Sequence, residues 1–251
     1  MIQIKNPTEL KLMLKAGELA AQALELAGKN AVAGATTWDL DRIVADYIKS
    51  KGGSCPCKGY GGFPAHNCFS INEELIHGIA SKKRILKEGD IISCDIVAEL
   101  NGFMGDNTKT FKIGKVSDEA ERLMKATEEA LYKGIEQAIA GNRVGDISNA
   151  IQQHVESYGY AVVRKFIGHG VGRDMHEDPE VPNFGKPGRG PRLTPGMTIA
   201  IEPMVNTNVP EVNILGDKWT VVTTDGSLSC HFEHTVAITN NEALILTLPE
   251  H

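Results

Sequence analysis

From the start of the chain, apolar residues recur at intervals of three and four. Asn6-Pro-Thr-Glu opens a capped pattern in which Leu10, Met13, Leu14, Gly17, Ala20, Ala21 and Leu24 share one side, which predicts a helix over residues 6–29. Thr36-Thr-Trp-Asp starts a second helix, with Leu40, Ile43, Val44, Tyr47 and Ile48 as its stripe and Gly52-Gly53 as its end. A glycine-rich loop at 58–64 follows, then a short strand at 68–72. Beyond a β-branched stretch at 89–111, the pattern predicts helices over 117–140 and 146–157. Strands are expected at 161–171, 197–202, 218–224, 229–238 and 243–247.

The stretch from Gly89 to Phe111 has apolar runs on both sides of Asn101-Gly102, the signature of a β-hairpin. A four-residue loop at 99–102 sets Asp95 opposite Asp106, so that two carboxylates share one face. Like charges at that spacing raise each other's pKa and cost stability unless a cation lies between them. A two-residue Asn-Gly turn would instead pair Asp95 with Thr108 and leave both aspartates as ordinary polar residues.

The order of two helices followed by strands occurs twice. A shift of 107 residues carries Asp39 onto Asp146, Ser50 onto Ser157, Gly52 onto Gly159, Gly89 onto Gly196 and Asp95 onto Glu202. With 20 residues more, Asp106-Asn-Thr falls on Glu233-His-Thr. Two related halves, about 1–112 and 113–251, would each contribute a pair of carboxylates. On extended strands Glu202 shares a face with Thr198 and Ala200 ahead of Pro203, and Glu233 shares one with Ser229, His231 and Thr235. Four negative charges balance two divalent cations, and a carboxylate-rich site with one imidazole suits Mn, Fe or Co better than a thiolate-type zinc site. His169, within Gly168-His-Gly-Val-Gly172, is an available imidazole with uncrowded surroundings.

Composition narrows the class. With 251 residues, 41% hydrophobic and 23% charged, the chain has material for a large core, and a single catalytic domain spanning 1–251 is expected. A net charge of -6 gives no basic footprint for nucleic acid, and the Lys82-Lys83-Arg84 run reads as a solvated loop. No apolar run approaches the roughly 20 residues of a membrane span, and the first residues are not a secretory signal, so a cytoplasmic protein is expected. Five cysteines make no disulfide framework, and Cys55, Cys57 and Cys68 lack a fourth partner at zinc-site spacing.

Taken together, Asn72-Glu73 with His77-Gly78, Gly105-Asp106, Gly168-His169-Gly170, His176-Glu177, Gly196-Met197-Thr198 leading to Ile201-Glu202-Pro203-Met204, and Phe232-Glu233-His234-Thr235 form a specific set. On these motifs the chain resembles the type I methionine aminopeptidases of family M24 over essentially its whole length. The resemblance implies an α+β pita-bread fold, in which two pseudo-symmetric halves form a central curved antiparallel sheet covered by helices. It implies two divalent ions per chain (Co, Mn or Fe(II), with Zn or Ni admissible) held by Asp95, Asp106, His169, Glu202 and Glu233, with Asp106 and Glu233 bridging. His77 would work near the scissile amide nitrogen and His176 near the carbonyl oxygen, while Glu202 takes the proton of the attacking water.

The methionine pocket implied by the resemblance is Cys57, Tyr60, Phe63, Cys68, Met175 and Trp219, an apolar, polarizable lining. Gly61 and Met175 depart from the His and Phe of relatives, which loosens the expected rim and wall. Expected substrates are nascent polypeptide N-termini with a small second residue, met by a monomer that works beside the ribosome and not on a membrane or a specific nucleic acid. Two other readings use the same fold. An Xaa-Pro aminopeptidase or prolidase is expected to carry a sizeable extra N-terminal domain, for which residues 1–6 leave no room. A metal-free binding module predicts replacements among the five ligands, and all five are in place.

Overall fold

A computed structural model describes residues 1–250. The first two helices form as the periodicity predicts: α1 (Pro7–Asn30) and α2 (Thr37–Ser50), each opened by a capping box, Asn6 with Glu9 and Thr36 with Asp39. Strands β1 (Cys68–Ile71), β2 (Glu74–Ile76), β3 (Ile91–Leu100) and β4 (Phe103–Lys112) complete the first half. Helices α3 (Asp118–Ile135) and α4 (Val144–Ser157) open the second. Strands β5 (Ala161–Val162), β6 (Gly168–Gly170), β7 (Glu177–Val181), β8 (Thr198–Ile201), β9 (Met204–Asn206), β10 (Val212–Ile214), β11 (Val221–Thr223), β12 (Ser229–His231), β13 (Glu233–Ala237) and β14 (Leu244–Ile245) follow.

The main antiparallel sheet runs β1-β3-β4-β13-β8-β6-β7, with β14 on β13. Its centre is the contact of β4 with β13, and the two sides match about it: β3 and β4 face β8 and β13 in mirrored order. One hydrophobic core packs α1 and α2 against the first-half strands, another packs α3 and α4 against the second. The expected repeat is structural as well. Asp39 and Asp146 both occupy the third position of a helix and close its capping box. Gly89 and Gly196, each six residues before a carboxylate, both adopt left-handed backbone, φ 93° and 88°. This is the pita-bread architecture, α+β with helices over a curved sheet.

Several expectations are corrected. The hairpin has a two-residue turn: Leu100 pairs with Phe103, and Asn101 and Gly102 take φ 55° and 79°. Positive φ at both central residues gives a turn whose twist matches the flanking strands, which an Asn-Gly pair accepts readily. Asp95 therefore faces Thr108, and Asp106 faces Val97. The aspartates nonetheless share a face, because Asp106 and Thr108 are two residues apart; a diagonal pair replaces the direct one, and neither is an ordinary polar residue.

The helix expected over 117–140 ends at Ile135, since residues 140 and 141 hydrogen-bond to Thr239 and Leu193 instead. The strand expected over 161–171 is two pieces in different sheets, and so is the strand over 229–238, which turns a corner at Phe232 between β12 and β13. β8 stops ahead of Pro203 as expected, and the chain turns there into β9, which pairs β12. The Lys82-Lys83-Arg84 run is not all solvated. Arg84 Nη1 donates to the carbonyls of Phe69 and Ile79, and its Nη2 pairs with Glu74, tying down the segment that carries His77.

Candidate dinuclear metal centre

Register places the carboxylates. Cys68 pairs with Asp95, Asp95 with Thr108 and Thr108 with Glu233, one row across β1, β3, β4 and β13. His234 pairs with Ile201, so the same row reaches Glu202 just beyond the end of β8. Asp106 lies one step along β4 on the same face. A cavity of about 580 Å³ opens here, lined by all four carboxylates together with His77, His169, His176 and His231. A second cavity of about 610 Å³ between Ile2 and Phe184 is slightly larger, but the converging carboxylates mark the first as the site.

His169 stands on a strand made of Gly168, itself and Gly170. A Cβ at Gly168 would lie 2.4 Å from the Ala200 carbonyl, and one at Gly170 2.2 Å from the Asp178 carbonyl, so only glycines let this strand seat between β7 and β8. His169 Nδ1 donates to the Gly170 carbonyl at 2.9 Å, which leaves the Nε2 lone pair facing inward. Nε2 lies 3.4 Å from Glu202 Oε1 and 3.8 Å from Asp106 Oδ2. One ligating atom each from Asp106, His169 and Glu233 falls within 4.8 Å of the others, a spacing that fits a shared ion.

The electrostatics ask for cations. Burial drives the Glu233 carboxyl well above the ordinary carboxylate range, and Asp106, Glu202 and Asp95 push it the same way. Burial does the same to Asp106, reinforced by Asp95 and Glu202, and to Glu202, reinforced by Asp95. Asp95 is also raised by burial, against the opposing influence of His231 and of the polar side chains of Thr108 and Cys68. Glu233 Oε2 accepts from Thr108 Oγ1 at 2.8 Å, but its Oε1 is buried without a partner. An orphaned carboxylate oxygen beside three further acids is stable only with positive charge among them, so these residues fit divalent ions.

Imidazole chemistry agrees. Burial holds His169 at a pKa of about 4, with His176 adding to the effect, so the ring is neutral and free to ligate at physiological pH. Burial pushes the thiols of Cys57 and Cys68 well above the usual value and that of Cys55 to about 11, so without a metal they are neutral, polarizable groups.

Around this centre stand the other expected residues. His77 sits in left-handed backbone, φ 58°, after β2, its ring edge-on to Phe166 and Trp219. Burial lowers it to about 4, with His231 contributing. The exposed His176 packs with its ring centroid 4.3 Å from that of His169, the planes tilted by 56°, and its Nδ1 is 3.0 Å from the Tyr60 hydroxyl. Its loop is anchored by Glu177, whose Oε2 meets Lys5 Nζ at 2.5 Å and whose Oε1 accepts from the Arg173 N–H. Of the expected methionine pocket, Cys57, Cys68 and Met175 line the cavity. Phe63 and Trp219 form an edge-to-face pair at 5.1 Å behind it, and Tyr60 stands at the rim, half exposed. Gly61, also in left-handed backbone, leaves the face of Trp219 uncovered.

The sequence pattern did not assign Thr108, which sits between Asp95 and Glu233, or His231, although His231 was legible as a same-face neighbour two residues before Glu233. Asn183, whose Nδ2 donates to the Glu202 carbonyl at 2.9 Å, carried no signal at all.

Four acids and His169 meeting in a cavity, on a symmetric pair of hairpin-like units, form a cluster that fits the metal site of a metallohydrolase. The chain belongs to metallopeptidase family M24, whose model matches residues 11–240. Its full-length relatives within that family are methionine aminopeptidases. The enzyme of Clostridium acetobutylicum is 56% identical over 100% of both chains. The crystal structure of methionine aminopeptidase from Thermotoga maritima superposes with a TM-score of 0.97 at 46% identity, covering 99% of this chain and 100% of the other. A prolidase from Pyrococcus horikoshii matches with a TM-score of 0.76 at 26% identity, and this chain spans only 64% of it. Among the described residues no helix is long and apolar enough to cross a membrane.

Proposed function

We propose that this protein removes the N-terminal methionine from peptides and nascent chains whose second residue is small. One observation carries the reading: three buried carboxylates, the half-buried Asp95 and His169 converge in one cavity of a chain that matches methionine aminopeptidases from end to end. Asp95, Asp106, His169, Glu202 and Glu233 would hold two divalent ions, with Mn, Fe(II) and Co the best suited to a carboxylate set and Zn or Ni admissible. Asp106 and Glu233 would be shared between the two ions, a role that their closeness to each other and to His169 supports. When bound, such ions supply Lewis-acid polarisation of the scissile carbonyl and an acidified water, and they give a free α-amine a point of attachment.

The chain's own groups do the rest. Glu202 accepts the proton of the attacking water at its carboxylate. His77, neutral and edge-on to Phe166 and Trp219, stands at the wall where the amide nitrogen leaves and handles its proton. His176, steadied by Tyr60, stabilises the carbonyl oxygen. Cys57, Cys68, Met175, Phe63, Tyr60 and Trp219 form the apolar receptacle for the first side chain. It suits an unbranched thioether, and polar atoms there find few partners. The protein works as a single catalytic domain of two halves and as a cytoplasmic monomer that meets its substrates near the ribosome.

The test is kcat/KM with Mn(II), Co(II) or Fe(II) for Met-Ala-Ser, Met-Lys-Ser and an Xaa-Pro dipeptide. Met-Ala-Ser should be cleaved, Met-Lys-Ser resisted, and chelation should abolish the activity. Cleavage of the Xaa-Pro dipeptide alone overturns the reading in favour of a prolidase. Equal rates on the two methionyl peptides remove the size filter, the feature most exposed to the open rim at Gly61.

A further inference from the structure

His231 ends β12 at the corner before Glu233, and its ring is directed into the metal cavity. The residue is 2% exposed, yet neither ring nitrogen has a hydrogen-bond partner. Its main chain is held independently of the ring: the N–H donates to Thr110 Oγ1 at 3.2 Å, and the carbonyl accepts from the same hydroxyl at 2.8 Å. The backbone also pairs with Met204, two residues past Glu202, so the ring and that carboxylate sit on neighbouring strands. Nε2 lies 3.5 Å from Glu202 Oε2, while the other oxygen of Glu202, Oε1, lies 3.4 Å from His169 Nε2. A small turn of the carboxylate closes the first gap to a hydrogen bond. The carboxylate oxygen that the ring faces at 3.5 Å is the one turned away from His169, so the ring is aimed at the outer side of Glu202.

We propose that His231 is a positioning residue for Glu202, its Nε2–H donating to Oε2 so that Oε1 stays turned toward His169 and the ligand set. The proposal rests on the aminopeptidase reading, in which Glu202 both ligates and takes a proton. A glutamate with two jobs needs its outer oxygen fixed, because free rotation about its last torsion would exchange the two oxygens. Partners of this kind behind a ligating side chain are typically worth about 10- to 100-fold in metal affinity or activity. The loss here should fall on turnover, since the ring faces the proton acceptor from its outer side.

The experiment compares wild type with His231→Leu and His231→Gln. Leucine keeps the volume without a donor, and the glutamine amide nitrogen reaches about as far as Nε2. Each purified protein is stripped of metal, titrated with Mn(II) by calorimetry and assayed on Met-Ala-Ser. Expected for His231→Leu is a kcat lower by about 10- to 100-fold with KM within about threefold, and two Mn(II) bound with affinities near those of wild type. His231→Gln should recover most of the lost kcat. Unchanged kcat in His231→Leu overturns the proposal, as does a failure of His231→Gln to recover rate. Loss of one bound Mn(II) in both variants also overturns it, since His231 would then be a ligand. Wild-type protein that binds Mn(II) but does not cleave Met-Ala-Ser refutes the aminopeptidase reading instead, a result the variants do not affect.

Discussion

Thr108 gives the sharpest test of how the fold prepares the metal centre. It is 2% exposed, lies between Asp95 and Glu233 in the strand register, and donates its hydroxyl to Glu233 Oε2 at 2.8 Å. Thr108→Val keeps the β-branched shape on a central strand and removes only that donor. With metals bound, Glu233 is ionised, and a hydrogen bond to a charged group is worth about 1.5–3 kcal/mol, which is roughly 10- to 150-fold in a binding constant. Without metals, burial raises the Glu233 pKa, so the lost bond is to a largely neutral acid and should cost about 1 kcal/mol or less. For a chain of this length that is about 2–4 °C in Tm. The effect on Mn(II) binding is the difference between the two costs, about 0.5–2 kcal/mol, so the variant should bind Mn(II) roughly 2- to 30-fold more weakly in calorimetric titration while its metal-free melting temperature moves by no more than those few degrees. Wild-type affinity would refute the reasoning. A large fall in metal-free Tm would also do so, since Thr108 would then be supporting the sheet and not the site.

Other tests address the proton chemistry. His77→Ala should lower kcat by about 10²- to 10⁴-fold, the range of a general acid-base group, with both metals retained; metal content falling in step with rate would make His77 a ligand. The pH dependence of metal stabilisation follows from the acids. Because burial raises the pKa values of Asp106, Glu202 and Glu233, their protonation supports the metal-free fold below the unfolded-state values near 4, and that support is lost as pH rises through the raised values. The gain in Tm on adding Mn(II) should thus be larger at pH 8 than at pH 6, and calorimetry in buffers of different ionisation enthalpy should register net proton release at neutral pH. A gain that shrinks with rising pH would contradict the assigned directions.

Much of the fold was legible because it is written locally. The periodic stripes and capping residues of α1 and α2 act within a few positions, and the two helices formed where the pattern placed them. The repeat was legible for a related reason: Gly89 and Gly196, or Asp39 and Asp146, meet the same local requirement in both halves. The acids themselves betrayed the centre, since Asp95 and Glu202 follow apolar runs, and two pairs of carboxylates at matching places in the repeat have little reason to converge except to share charge with a cation.

What the sequence by itself determined was therefore the four helices, the longer strands, the duplication and the identity of the carboxylates, all of which depend on residue type and short-range spacing, while the short strands β2, β7, β9 and β10 carried no such pattern. Tertiary structure decided their arrangement. The hairpin register depended on which turn Asn101-Gly102 adopts, and the corners at Pro203 and Phe232 depended on which of several sheets offered a partner to each half of an apparently continuous strand. Only folding brought Cys68, Asp95, Thr108, Glu233 and Glu202 into one row, and only folding turned His231 onto Glu202 and Lys5 onto Glu177 across 172 residues. Hydrogen bonds and ion pairs between residues distant in the chain leave no periodic trace in it, because any neighbouring strand of suitable register could have supplied the same partner.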